Sequence, residues 1–588
     1  MEIYLDANAT TPVLPAARDA ALAAMSLDFG NPSSSHSCGL RARFLKENVR
    51  AQARRILGLD AETGQLLFVS GATEAIQTAI LSALISLRAV QTPGLLLYGA
   101  TEHKAVPEAL AHWNAVLGLN WEIRAIPVGH DGRHDLAWLR QHAPLAGLVC
   151  TMAANNETGV ISDLQGIADA IRPGNALWMV DGVQALGKLP LRLQDLPIDY
   201  APFSGHKLYA PKGIGMLYVR DGAPYTPLIV GGGQESASRS GTENMSGIAA
   251  LGAIFSAIES GTDFQDAATL DDHRSALMTA LRDAFTGVVF NAPLESSLPT
   301  TINFSVPGIG SKVLLNLFDA AGVRVSSGSA CGAAKARPSY VLEAMGLPDW
   351  QVESAIRMSF GPADTAAFIA EACTRIRACG DSLRQNAPHL LPMHEGGLAS
   401  TVVEGERHSV LSNIPGPHSA TAAAIDGTGI CGRDDASTCN HDTNGDTAGI
   451  SSKSVEISMS EVIAMARENN EMLLVDVREI YEQRLGVPPD LGGNVSHLMA
   501  PLSQLPELLP ELLSRHSGRP FIFLCRSGNR SEQAARMLRH VGHASAWSLA
   551  GGLALWSMHK AIGTRFGSEE EAEMHDLIAI RSRTIFQV

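Results

Sequence analysis

The sequence predicts an α/β chain in two compact parts, the larger one built on a mainly parallel sheet. Three observations point there. Between residues 66 and 219, short apolar runs alternate with amphipathic stretches, the pattern of strand and helix in turn. Residues 387–456 then contain no Phe, Trp or Tyr, and a second strand-and-helix pattern follows. At 588 residues the chain is longer than one hydrophobic core can organise.

The elements follow in order. Residues 66–69 read as a strand, then Ser70-Gly71-Ala72-Thr73-Glu74 opens helical spacing through Leu87. Residues 94–98, 148–152, 177–180 and 216–219 read as further strands. Ligands of such sheets collect beyond the carboxyl ends of the strands, where the polar clusters of this sequence fall. From Asp263 to Pro388 the pattern becomes a helix (270–285), a strand (300–306), another helix and a long Gly/Ser-rich loop. That predicts a smaller α+β lobe ending in a helix near Asn386. The stretch that follows is rich in Gly, Ala, Ser, Thr and Asp; it buries too little apolar surface to offset ordering entropy and reads as a flexible linker. Its Cys431, Cys439 and His441 do not have the spacing of a clean metal site, and no metal is expected. Beyond it, 473–478 and 521–524 are strands, 525–531 a loop and 532–540 a helix, with Gly551, Gly552 and Trp556 closing the unit.

The balance of 45 Lys+Arg against 60 Asp+Glu, a net charge of −15, argues against stable nucleic-acid binding. No apolar stretch reaches the ~18 residues of a membrane span and no leader is evident, so a cytoplasmic protein is expected. The eight cysteines show no paired framework; in a reducing compartment each is individually core, catalytic or metal-binding.

Ser204-Gly205-His206-Lys207 stands between an apolar run and the turn-rich Pro211-Lys212-Gly213. With Phe203, Leu208 and Tyr209 as neighbours, the charged form of the Lys207 amine is expected to be disfavoured, freeing a nucleophile for Schiff-base chemistry. Ser204 and His206 are anion donors suited to a phosphate-bearing aldehyde. Gly71-Ala72-Thr73, at a strand-to-helix junction, is a phosphate cradle. Asp181 ends an apolar run and can pair with a pyridinium nitrogen; His103 and Asn155 also follow apolar runs.

Together these pieces resemble the class V aminotransferase group, and within it the cysteine desulfurases of the NifS/IscS type. The match, over roughly residues 1–385, runs through Tyr4-Leu5-Asp6-Ala7-Asn8-Ala9-Thr10-Thr11-Pro12, Gly30-Asn31-Pro32, Ser70-Gly71-Ala72-Thr73-Glu74, Thr101-Glu102-His103-Lys104, Asn155-Asn156-Glu157, Asp181-Gly182-Val183-Gln184, Ser204-Gly205-His206-Lys207, Arg239-Ser240-Gly241-Thr242 and Gly328-Ser329-Ala330-Cys331. The resemblance implies the pyridoxal-phosphate-dependent transferase fold. Its large domain, about 15–260, has a mainly parallel seven-stranded sheet, and its small domain combines the N-terminal segment with about 261–385. Lys207 would carry pyridoxal phosphate in Schiff-base linkage, with His103 on the ring, Asp181 on its nitrogen, and Asn155 and Gln184 at its oxygen. Ala72, Thr73, Ser204 and His206 would hold the phosphate, and Thr242 would reach in from the second subunit of a homodimer. Arg357 would clamp the substrate carboxylate, beside Asn155. Gly182-Val183 stands where the family often has Ala-Thr.

Cys331 lies in a small-residue loop, 326–335, exposed and able to move, as a sulfur-carrying nucleophile must be. The resemblance thus implies that L-cysteine becomes L-alanine with a persulfide on Cys331. A selenocysteine lyase or an aminotransferase is the alternative, with the C-terminal part then a docking module.

The loop Cys525-Arg526-Ser527-Gly528-Asn529-Arg530-Ser531, with Asp476-Val477-Arg478-Glu479 and Tyr481-Glu482 before it, resembles a rhodanese over about residues 456–562, followed by a tail, 563–588. Four residues separate Cys525 from Arg530, one fewer than in phosphatase relatives, a ring suited to a single sulfur. Backbone amides would converge on the Cys525 sulfur, with Arg526 and Arg530 adding positive charge. Asn494-Val495-Ser496-His497 stands where rhodaneses usually show Gly-His-Ile. Two sulfur-carrying thiols suggest a relay from Cys331 to Cys525 and on to an acceptor protein for iron–sulfur assembly or thiolation. The linker, 386–455, about 70 residues, would reach on the order of 45 Å if flexible.

Overall fold

Runs of consecutive buried residues form the centre of the molecule, as a sheet covered on both faces requires. The computed structural model describes residues 2–60, 63–88, 94–327, 338–386, 455–467, 471–486, 488, 495–516 and 518–553. Cys331, Cys431, Cys439, His441, Trp556, the tail and nearly all of the expected linker lie outside them.

A short strand, β1 (Ile3–Tyr4), precedes the large sheet. That sheet contains β2 (Gln65–Val69), β3 (Leu95–Gly99), β4 (Glu122–Ile126), β5 (Ala146–Met152), β6 (Leu177–Asp181), β7 (Tyr200–Ser204) and β8 (Gly215–Val219). Its order is β2-β8-β7-β6-β5-β3-β4, seven strands, with β8 antiparallel to both neighbours and the other pairs parallel. Every residue of β5, β7 and β8 is buried. Within β5, Val149 faces the cluster formed with Ala17, Val49, Ile248 and Phe255; Leu148 and Cys150 face the cluster with Ile76, Ile80, Val106 and Leu110. The edge strand β4 is the one the apolar pattern does not announce. It carries Glu122 and Arg124, paired with each other at 2.6 Å, and such charges blunt an open edge.

The smaller lobe has β9 (Val289–Phe290), β10 (Thr301–Ser305), β11 (Val323–Arg324) and β12 (Ile356–Ser359). β12, β10 and β9 form an antiparallel sheet, while β11 pairs in parallel with β1. Helices Ala267–Ala284, Ser311–Ala320 and Ala366–Asn386 enclose its core around Leu277, Phe304, Phe318 and Ile376.

The C-terminal elements are β13 (Glu456–Ile457), β14 (Met472–Asp476), β15 (Val495–Met499), β16 (Phe521–Leu524) and β17 (Ala546–Leu549). They form one parallel sheet in the order β13-β17-β16-β14-β15. The unusual Val495-Ser496-His497 run pairs in unbroken register with β14. The described parts of this region and of the first 386 residues belong to one compact unit.

Candidate functional site

Lys207 closes the single turn Gly205–Lys207 that follows β7. Two residues on, Tyr209 sits in left-handed backbone at φ +59°, a conformation held by the hydrogen bond from its amide to Thr11 Oγ1 at 2.7 Å. The Lys207 amine donates to the carbonyls of Asn8 and Ala9, each at 2.7 Å. Its setting is therefore more polar than the neighbouring sequence suggests, because Phe203 and Leu208 are buried in the main core. Asn8 is a hub. Its carbonyl also accepts from Gln184 Nε2 at 3.1 Å, and its amide nitrogen donates to Asn156 O at 3.2 Å and Thr301 Oγ1 at 2.9 Å.

The strand ends supply the opposite wall. Asp181, the last residue of β6, accepts from the Val183 amide at 2.9 Å. Burial pushes its carboxyl up to about 6, against the pull of Lys207. His103 Nδ1 accepts from the Ala105 amide at 3.2 Å; burial lowers the imidazole pKa, with the Lys207 and Lys104 charges adding to the effect. His206, beside Thr10 Oγ1 at 3.1 Å, is lowered to about 4 by burial and then by Lys207 and Lys212. Helix Ala72–Leu87 begins without a side-chain cap, and a Cβ on Gly71 would lie 3.8 Å from Ser204 Oγ, so that hydroxyl stands beside the helix start. From the small lobe, Arg357 on β12 places Nη2 at 2.6 Å from Asp6 Oδ1 and Nη1 at 3.1 Å from Asn156 O.

Ala72, Thr73, His103, Asp181, Gln184, Ser204, His206, Lys207 and Arg357 all line one cavity of about 560 Å³. Asn155 is absent from its wall. The Asn155 side chain is buried in local bonding, its oxygen taking the amides of Glu157 and Thr158 and its nitrogen donating to Thr101 O; the neighbouring Asn156 lines the cavity instead. Thr242 is exposed and lies outside the wall.

Several residues in and around the cavity have no role that the sequence alone discloses. Lys188 donates to Asn8 Oδ1 at 2.9 Å and Gln184 Oε1 at 2.7 Å, and burial of its amine, with Lys207 and Arg357 nearby, lowers it to about 7. Its position four residues after Gln184 is the only hint. Glu102 is buried and held well above the usual carboxylate range by burial and then by the Asp181 charge. His134, also buried, is lowered to about 4 by burial. A Cβ on Gly99 would fall 2.4 Å from His134 Nε2 and 2.9 Å from Glu102 Oε1, so only glycine fits. Tyr340 lines the cavity and donates to the Glu102 carbonyl at 2.6 Å.

The second site begins where β16 ends. Cys525 is 1% exposed, and its sulfur accepts from the amides of Gly528 at 3.2 Å and Ser531 at 3.4 Å, with Ser531 Oγ also at 3.4 Å. Gly528, at φ +98°, supplies the turn that aims them. The converging amides match the expected anion cradle. Both arginines are also paired with carboxylates: Arg530 is held bidentate by Glu482 at 2.6 and 2.8 Å, and Arg526 pairs with Asp319 of the small lobe at 2.8 Å. Ser527 and Asn529 are exposed.

Residues 3–370 match the aminotransferase class-V family, and residues 458–559 match the rhodanese-like domain. A cysteine desulfurase from Gluconacetobacter diazotrophicus is 37% identical over 368 residues, 62% of this chain and 90% of its own. The cysteine desulfurase IscS of Dictyoglomus turgidum is 34% identical over 61% of this chain and 90% of its own. The solved structure of a NifS-like protein superposes with a TM-score of 0.58 at 31% identity, covering 66% of this chain and all of the other. Class-V aminotransferases depend on pyridoxal phosphate. The cavity fits that group: a helix start without a side-chain cap beside the Ser204 hydroxyl for a phosphate, a buried strand-end carboxyl for a ring nitrogen, and a lysine amine between them.

Proposed function

Because the chain belongs to the class-V aminotransferase family and ends in a rhodanese-like domain, we propose that it is a cysteine desulfurase that passes its sulfur to its own C-terminal thiol. The observation that carries this reading is the convergence of Lys207, Asp181, His103 and Arg357, from both lobes, on one cavity.

Pyridoxal phosphate, when bound, supplies the electron sink that loosens bonds at the substrate's α-carbon. Ser204, His206 and the start of helix Ala72–Leu87 hold its phosphate, Asp181 its ring nitrogen, Gln184 its ring oxygen, and His103 its face. Arg357 grips the carboxylate of L-cysteine through its planar fork, exchanging Asp6 for the substrate. Lys207 Nζ takes the α-proton. The Cys331 thiolate receives the sulfur and L-alanine leaves. Thr242 completes the phosphate site of a second copy in a homodimer.

In the next step the Cys525 thiolate attacks the outer sulfur of the Cys331 persulfide. A new S–S bond forms on Cys525, the old one breaks, and Cys331 departs as thiolate, with no outside oxidant or reductant. The amides of Gly528 and Ser531 suit the anionic persulfide so formed. An acceptor protein for iron–sulfur assembly or thiolation, in the cytoplasm, takes the sulfur onward.

Incubation with L-cysteine and a thiol reductant should release alanine and sulfide in equal amounts, and Cys331→Ala should abolish this; activity surviving that substitution would refute the desulfurase reading. With ³⁵S-cysteine, label is expected on Cys525. Label on Cys331 with none on Cys525 would leave the C-terminal domain as a docking module.

A further inference from the structure

Helix Ile480–Gln483 faces two ways. Tyr481 is 8% exposed and belongs to the core of the small lobe, with Leu317, Phe318, Cys379 and Leu383. Its carbonyl accepts from Ser382 Oγ at 2.9 Å, and a Cβ on Gly486 would come within 3.0 Å of Ala320 O. The next residue, Glu482, is 1% exposed; it turns the other way and holds Arg530 bidentate. Its Oε2 also accepts the Glu479 amide at 3.0 Å, which locks the helix start. Arg526, at the other end of the loop, pairs with Asp319, which Arg324 also holds. The loop around Cys525 is thus gripped at both ends, once directly and once through a helix whose Tyr481 is planted in the small lobe.

We propose that the small lobe is the positioning partner of the Cys525 loop, so that the amide cradle on the sulfur is set by docking and is not a property of the C-terminal domain alone. Tyr481 and Asp319 are the positioning residues. Their purpose rests on the relay reading, but the test does not.

The full-length protein is the sample. Hydrogen exchange of the peptide covering 525–531 is read by mass spectrometry, with the β14 peptide as the internal control. Tyr481→Ala and Asp319→Arg should each speed exchange of the loop peptide by about threefold to tenfold while the β14 peptide stays as in the parent, because a cradle released from the small lobe opens more often. Tyr481→Phe should behave as the parent. Arg526→Asp, at a partly exposed position, should speed exchange like Asp319→Arg. Unchanged exchange in Tyr481→Ala and in either charge reversal would overturn the proposal. Label from ³⁵S-cysteine distinguishes the two readings: Cys525 labelled in variants with unaltered exchange sinks the coupling and keeps the relay, whereas altered exchange with no label in the parent does the reverse.

Discussion

Arg357 Nη2 stands 2.6 Å from Asp6 Oδ1, an ion pair that ties β12 of the small lobe to the N-terminal segment covering the cavity. The guanidinium side chain is 2% exposed and the carboxylate 19%. A substrate carboxylate entering the site meets a cation already oriented by a partner from elsewhere in the chain.

Arg357→Lys keeps the charge and loses the planar fork. The KM for L-cysteine should rise by about 10- to 100-fold while kcat falls less, since the interaction is made in ground and transition states alike. Steady-state kinetics check this; a fall in kcat with KM unchanged would place Arg357 in a different role.

Asp181 is raised in the folded chain from 3.8 to about 6. A folded-state carboxyl raised above its unfolded value binds extra protons between those limits, so the cofactor-free protein should lose stability as pH rises from about 4 to about 6. Asp181→Asn should remove most of this slope and stabilise the cofactor-free protein near pH 7, by on the order of 3 kcal/mol at most. The same variant should lower kcat by at least about 100-fold, because the ring nitrogen loses its counter-charge. Urea melts across pH, on protein stripped of cofactor, read the first effect.

Lys188→Ala removes the donor that holds both Asn8 and Gln184. With Asn8 loosened, the carbonyl that fixes the Lys207 amine shifts. Affinity for pyridoxal phosphate, followed by absorbance on titration, should weaken about tenfold with the fold intact. Equal affinity in the variant would mean that Asn8 is placed by its other bonds.

Gly99→Ala puts a methyl group into the space shared by His134 and Glu102. A destabilisation of about 1–3 kcal/mol is expected from overpacking, read as a lower urea midpoint at unchanged slope.

The site residues that local pattern locates share one trait: they lie at or just beyond the end of an apolar run. Asp181 and Ser204 end strands, Lys207 and His103 follow within a few residues of one, and Thr73 stands at a helix start, whereas Arg357, inside β12, and Gln184 come through the resemblance alone. Asn155 shares the trait, yet its short side chain bonds to the backbone just after it and turns from the cavity. Asn8 and Lys188 have no such mark, because their roles arise from contact between segments 180 residues apart. β4 was hidden by the charges that protect it as an edge. At the C-terminal loop, spacing disclosed the cradle on Cys525. The carboxylates opposite Arg526 and Arg530 could not be read, since Asp319 belongs to another lobe and Glu482 to another helix.

The pairing of β1 with β11 sets Ile3 against Val323, and Asp6 bridges to Ser359. During synthesis the end that carries β1 therefore leaves the ribosome well before the small-lobe strands it pairs with. Asn8 and Ala9, which hold the Lys207 amine, travel with that end. Those two carbonyls can meet Lys207 once the large sheet is made, since Gln184, Lys188 and Tyr209 also hold their segment, whereas Ile3 and Asp6 must wait for β11 and β12.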